Sequence, residues 1–368
     1  MFRPAYSLLN IAAVVTLISG ALVDTQSMNE RIISEHLRVR IPIEREWLGR
    51  DAIMDLERCW RFMNAATGES LPRRILVVID WDGTATITNY EESRISIGMS
   101  PPAAAADTKS YLLHSSAREM ARLGLYGLSR GATLREDSQF LVEGMTKILV
   151  HEYERSSRSL SGAWVICQLL DKMKLLGLKA QASWRAFSGD RHDFRAASPG
   201  ITFLATCREL HGRERVLKLF ESLRKRSLQE SLAAAFKTNP LVLEEEWLKR
   251  VRGYREVDDV TVTSEDDAPQ LLKAVTEPEA GKAGTSLQLR LFVKDGTNDL
   301  YPQGVFLQDE ASGQVLQAQL ASERGAKYIF VAIPLEAGCP PGQYSYRITA
   351  ADESGNIRNW KGKYTVVP

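Results

Sequence analysis

The polar side chains best placed for chemistry lie in two apolar segments, 111–123 and 140–153. His114 and Arg118 are four residues apart in the first segment, and Glu143 lies in the second. Histidine and glutamate are zinc ligands, and a catalytic zinc takes three protein ligands while a nearby carboxylate activates water. Two histidines four residues apart on a helix can reach one ion. Here arginine stands at the second of those positions, so the metal chemistry is incomplete.

Strands and helices must position these residues. A polar–apolar alternation predicts a strand over 36–41, and apolar runs predict strands over 75–79 and 94–97. Apolar residues at three- and four-residue steps predict helices over the following ranges: 51–62, 111–123, 140–153, 162–176, 202–210, 214–223 and 243–251. The pattern predicts a small sheet followed by a helical core.

The C-terminal part has a different composition. Acidic, hydroxyl and proline residues over 255–279 indicate a linker. Beyond the linker, apolar residues recur at every second position, and turn residues separate the short segments. This pattern is typical of a β-sandwich. The predicted strands are 287–293, 305–307, 315–320, 328–333, 344–349 and 364–367.

Three segments carry a family resemblance. They are Tyr111-Leu-Leu-His114-Ser-Ser-Ala-Arg118, Phe140-Leu-Val-Glu143-Gly144 and Glu244-Glu-Glu-Trp247-Leu248. With them, residues 35–254 resemble the peptidase-MA-like, or gluzincin, zinc metallopeptidases of exported bacterial proteins. The C-terminal hairpin, 344–364, resembles that of a bacterial immunoglobulin-like domain. The expected class is α+β: a small sheet and a helical zincin-like domain, then an all-β immunoglobulin-like sandwich.

The resemblance implies roles for four residues. His114 and Glu143 match two zinc ligands, while Arg118 replaces the second histidine and Ser115 replaces the general-base glutamate. Two protein ligands hold zinc poorly, and an arginine stays protonated. We therefore expect no catalytic residues and no cofactor. Glu143 would be costly as an unpaired carboxylate, so an Arg118–Glu143 ion pair is expected in place of the metal.

Two alternatives remain open. An active zinc metallopeptidase could use an unusual ligand set of His114, Glu119 and Glu143. Glu119 lies roughly 140° around the helix from His114, so this set would need a distorted helix. The fold could also survive only as a structural scaffold of the cell envelope.

Other candidate groups have simpler interpretations. His36 is expected to be solvated, and His151-Glu-Tyr-Glu-Arg155 is expected to be the polar end of a helix. Cys59, Cys167 and Cys207 lie among apolar residues and are expected to be buried and unpaired. Acidic and amide residues of the C-terminal part are assigned to turns rather than to calcium: Asp295, Asp299, Asp352, Glu353 and Asn356.

The N-terminal residues predict export. Arg3 precedes an apolar run, 8–23, that ends in small residues, as in a secretory signal peptide or an anchor. The predicted location is the periplasm, the cell envelope or the medium.

The charge and the pattern of the chain also bear on partners and domains. A net charge of +1 argues against binding to nucleic acid. Expected partners are a peptide, a protein or an envelope component, with membrane anchoring by the N-terminal segment open. The predicted domains are 1–23, 24–254 and 280–368, with 255–279 as linker.

Overall fold

The computed structural model describes residues 28–83, 86–99, 108–154, 160–182, 194–254, 269–294, 304–323, 326–351 and 357–368. Over these residues the chain is a mixed α+β protein, as the sequence predicts. The predicted signal or anchor segment and the five turn residues assigned in the C-terminal part lie outside the described residues.

A five-stranded sheet opens the fold. Its strands are β1 Met28–Ile33, β2 Leu37–Pro42, β3 Ile75–Asp80, β4 Ile87–Asn89 and β5 Arg94–Gly98, in the spatial order β1-β2-β3-β5-β4. β2, β3 and β5 are parallel, and β1 and β4 are antiparallel edge strands. The three predicted strands correspond to β2, β3 and β5.

Nine helices lie in the described part of the N-terminal region. They are α1 Glu46–Ala66, α2 Thr108–Ser129, α3 Gln139–Glu154, α4 Ser161–Lys172, α5 Leu178–Ala182, α6 Phe194–His211, α7 Arg213–Ser222, α8 Leu228–Phe236 and α9 Pro240–Gly253. Each predicted helix is present. Helices α5 and α8 are additional to the predicted ones, and Ser227 and Glu230 form a capping box at the start of α8.

Helices α3 and α6 cross in direct backbone contact. A Cβ atom added to Gly144 would lie 2.3 Å from the carbonyl carbon of Gly200, and one added to Gly200 would lie 1.9 Å from the Phe140 carbonyl oxygen. Both glycines are therefore required by packing. This crossing sets the position of α3, and with it that of Glu143.

We predict that Gly144→Ala lowers the free energy of unfolding by about 1–3 kcal/mol, because the added methyl group overlaps backbone atoms that cannot move away. Gly253→Ala is the matched control, since nothing lies within 4 Å of its added Cβ. Urea denaturation of both variants measures the difference. Equal stability of the two variants would contradict the close crossing.

Two facing sheets form the C-terminal region. The strands are β6 Gln270–Glu277, β7 Ala280–Lys282, β8 Ser286–Lys294, β9 Val305–Asp309, β10 Val315–Gln317, β11 Gln319–Glu323, β12 Ala326–Pro334, β13 Gly342–Ala351 and β14 Ile357–Val367. One sheet has the order β10-β9-β13-β14-β7, and the other has the order β11-β12-β8-β6. Side chains from both sheets, such as Leu289 and Ile348, share one core.

Part of the predicted linker is a strand. Residues 270–277 form β6, which pairs with β8 through a register shift between Leu271 and Lys273. This bulge interrupts the period of two, which explains why the pattern was missed. Residues 255–268, the rest of the predicted linker before the β-region, lie outside the described part of the chain.

Strand β9 is buried on both faces. Val305 and Leu307 belong to the core of the β-region, whereas Phe306, on the opposite face, belongs to the core of the helical region. Lys172 of α4 also donates to the Gln308 side chain at 3.3 Å. The two regions are thus in contact through β9.

The cysteine prediction is confirmed. Cys59, Cys167 and Cys207 are buried and unpaired. Burial raises the pKa of the Cys167 and Cys207 thiols to about 12. Among the described residues, no helix is long and apolar enough to cross a bilayer.

Candidate functional site

Helices α2 and α3 run antiparallel, and two polar side-chain contacts connect them. Near one end, His114 Nδ1 lies 2.7 Å from Glu154 Oε1. Two turns further along α2, Arg122 Nη2 donates to Glu143 Oε2 at 2.5 Å. These two contacts define the register of the helix pair.

An ion network fills the space around the second contact. Glu119 Oε1 accepts from Arg118 Nε at 3.2 Å and from Arg122 Nη1 at 2.7 Å. Glu119 Oε2 accepts from the Thr88 hydroxyl of β4 at 2.6 Å. Through Arg122 the network extends to Glu143. We call Arg118, Glu119, Arg122 and Glu143 the Arg/Glu network.

The network is desolvated. The side chains of Glu119 and Arg122 are 3% and 5% exposed, and those of Arg118 and Glu143 are 13% and 14% exposed. Burial opposes the charge on Arg122, but the carboxylates of Glu143 and Glu119 outweigh it and raise the pKa of the guanidinium. Two cations and two anions balance, so the network carries no net charge.

The burial of α2 explains why these charges are paired. Residues 115–117 and 119–125 are buried, so the helix is covered on nearly all sides. A charged side chain that is buried in this way is stable only with hydrogen-bond partners. Glu119 has three, which are Thr88, Arg118 and Arg122. Arg118 and Arg122 are one turn apart, so both guanidinium groups can reach the carboxylate between them.

The structure separates His114 from Glu143. His114 lies eight residues before Arg122, the residue that meets Glu143, which is roughly 12 Å along the helix axis. Its side chain is 45% exposed and contacts Glu154 instead. The proposed residual zinc ligands therefore do not converge, and the alternative set with Glu119 does not converge either. Ser115, which the alignment placed at the general base, is buried.

The arginine bonded to Glu143 differs from the expected one. It is Arg122, one helical turn after Arg118, while Arg118 contacts Glu119. The expectation placed the pair at Arg118 because it aligned the zinc motif on His114. The antiparallel packing of α2 on α3 places Arg122 beside Glu143, so the alignment of the zinc motif moves one helical turn towards the end of α2.

The shifted register exposes a signal that the sequence analysis missed. Arg118-Glu119-Met-Ala-Arg122 has the spacing of His-Glu-x-x-His, with an arginine at each histidine position and the glutamate retained. Glu143, on the next helix, contacts the second of these arginines. A search that allowed substitution of both histidines would have found this segment.

A second polar cluster joins the first sheet to α1. The Glu57 carboxylate accepts from the Ser34 hydroxyl at 2.6 Å and contacts His36 Nδ1 at 2.5 Å. His36 also stacks on Trp60, with ring centroids 3.6 Å apart. The prediction that His36 is solvated is therefore wrong: its side chain is 14% exposed because α1 covers it.

The same cluster could be mistaken for a metal site. Ligand atoms of Glu35, His36 and Glu57 lie within 4.8 Å of one another. However, Arg61 lies 3.2 Å from Glu35 and 3.5 Å from Glu57. The two carboxylates therefore already have protein partners in Arg61, His36 and Ser34, which favours a structural role for the cluster.

We predict that Glu57 makes stability depend on acid pH. Burial raises its pKa, but bonds from His36 and Ser34 outweigh burial and hold the pKa below 4.5. A depressed pKa stabilises the folded state above about pH 4.5, and this contribution is lost as pH falls through the folded-state pKa. Glu57→Gln should lose about 2 kcal/mol at pH 7 and progressively less as the pH falls through the folded-state pKa of Glu57. Denaturation over a series of acid pH values measures this, and a loss that does not change with pH would contradict it.

Comparisons with known proteins give only distant likenesses. No family model and no curated protein matches the sequence. An aminopeptidase N family protein from Idiomarina loihiensis is similar in structure, with a TM-score of 0.42 and 8% identity over 93% of this chain and 67% of the other. An alkylpurine DNA glycosylase, AlkC, from Pseudomonas fluorescens has a TM-score of 0.23 and 10% identity over 72% and 83%. Both TM-scores are below 0.5, so these likenesses are distant.

Proposed function

We propose that this chain is an exported, non-catalytic protein with a metallopeptidase-like helical region, and that it binds a peptide, a protein or a cell-envelope component. The observation that carries the proposal is the Arg/Glu network. Its four residues stand at the positions where the spacing of a zinc peptidase would gather two histidines, a general base and a third ligand.

The chemistry of the network supports an inactive site. A zinc peptidase needs neutral histidines at the metal, whereas Arg118 and Arg122 are permanent cations. Glu119 is positioned like a general base, yet its two oxygens accept three bonds from Thr88 and the two arginines. A carboxylate held in this way is a weak proton acceptor. Neither metal binding nor activation of water is favoured.

Polar groups beside the network support a binding role. His114 and Glu154 are 45% and 34% exposed, one helical turn beyond Arg118 on the same pair of helices. An imidazole and a carboxylate can bond the backbone amides and carbonyls of an extended peptide. In this proposal the ligand binds at the exposed His114–Glu154 end of the α2–α3 pair and is not cleaved.

A mixed peptide library tests the proposal. Immobilised protein should retain a subset of peptides, and mass spectrometry should find no new termini with or without added zinc. His114→Ala should weaken retention, whereas Arg252→Met, which removes an exposed ion pair with Asp171, should not. Zinc-dependent cleavage that Glu119→Gln abolishes would contradict the inactive site, and absence of retention would contradict the binding role.

A further inference from the structure

One end of the first sheet exposes large apolar side chains. Strands β2, β3 and β5 are parallel and finish at this end. Ile43 follows β2 and is 51% exposed, and Trp47, in the first turn of α1, is 56% exposed. Ile87, at the start of the antiparallel strand β4, is 60% exposed. Together with Trp81 these residues form what we call the sheet-end patch.

Aromatic and cationic groups meet within this patch. Trp81 directly follows β3 and is half-buried, and the Arg45 guanidinium lies 4.5 Å from the centre of its ring. Tryptophan and arginine both have an apolar body and a polar tip. Such side chains are favoured where hydrocarbon meets water.

The N-terminal segment reaches the fold beside this patch. Met28, at the start of β1, pairs with Pro42, which directly precedes Ile43. Only residues 24–27 separate β1 from the apolar run 8–23. Four residues span at most about 14 Å. Whatever holds the apolar run is therefore close to the sheet-end patch.

We propose that the sheet-end patch rests on the surface of a lipid bilayer that holds residues 8–23. Such docking goes beyond the proposed function and depends on it only for export to the cell envelope. Trp47 and Ile43 enter the interface between headgroups and acyl chains, and Trp81 with Arg45 lies at headgroup level. The short spacer and the patch together hold the sheet at a defined distance from the bilayer.

The charges around the patch indicate a neutral lipid surface. Glu44 and Asp82 are exposed beside it, Arg45 is stacked on Trp81, and Arg50 forms an ion pair with Glu46. No cluster of lysine and arginine is present among these residues, so anionic headgroups are not required. Docking should therefore be insensitive to salt.

Tryptophan quenching by brominated lipid tests the inference. The full chain is reconstituted in phosphatidylcholine vesicles with or without brominated acyl chains. Residues 1–27 contain no tryptophan, so quenching reports on the folded part of the chain. We expect quenching in wild type that Trp47→Phe reduces roughly by half. The matched control is Trp360→Phe, on β14 in the β-region, which should keep the wild-type quenching.

Each other outcome overturns the inference. Equal quenching in the wild type and in Trp47→Phe would show that the patch faces away from lipid. Protein that stays in the supernatant after vesicle sedimentation would show that no bilayer holds the chain. Because peptide retention is measured without vesicles, failure here is distinguishable from failure of the proposed function.

Discussion

Replacing both arginines of the network with histidine should create a zinc site. In Arg118→His/Arg122→His, two imidazoles lie four residues apart and face Glu143, which is the ligand set of a His-Glu-x-x-His peptidase. We expect about one zinc per chain by elemental analysis. Zinc at 100 times its Kd should raise the free energy of unfolding by about 2.7 kcal/mol.

A single variant controls for the register. Arg118→His alone places His114 and a new histidine four residues apart, in the alignment that the sequence first indicated. The structure predicts no zinc site there, because His114 is roughly 12 Å from the turn that meets Glu143 and Arg122 still holds that carboxylate. Zinc bound by the single variant, and not by the double variant, would contradict the shifted register.

Removing Arg122 should destabilise the fold strongly. Arg122→Met leaves Glu119 buried without the closer of its two arginines and Glu143 without its arginine. Breaking a buried ion pair in this way costs about 3–5 kcal/mol. Arg252→Met is the matched control, since its pair with Asp171 is exposed and contributes at most about 1 kcal/mol. Urea denaturation at pH 7 measures both.

A second substitution separates charge from packing. Adding Glu119→Gln to Arg122→Met removes the buried anion, so part of the lost stability should return. If the double variant is less stable than Arg122→Met alone, the loss arises from packing of the Arg122 side chain, and the ion network does not account for it.

Local pattern was sufficient for most elements of the helical region. Apolar residues at regular steps, or in a continuous run, are enough to predict β3 and the helices α2 and α3. The contact between helices was not predictable in this way. The register of α2 against α3 is defined by the contacts of His114 with Glu154 and of Arg122 with Glu143, pairs that are 40 and 21 residues apart in the sequence.

The errors in the candidate site have the same origin. The zinc motif is aligned on His114 because histidine is the expected zinc ligand. The contact between the two helices is instead between Arg122 and Glu143. The polar–apolar alternation around His36 predicts a solvated side chain. Only the packing of α1 shows that Glu57 and Trp60 enclose it.

Zinc binding by the wild-type protein is the most direct test of the central claim, that permanent cations occupy the place of a metal. The chain is purified without chelator and titrated with zinc in a calorimeter. The account predicts no stoichiometric binding that involves Glu119 or Glu143. One zinc per chain, lost in both Glu119→Gln and Glu143→Gln, would contradict it.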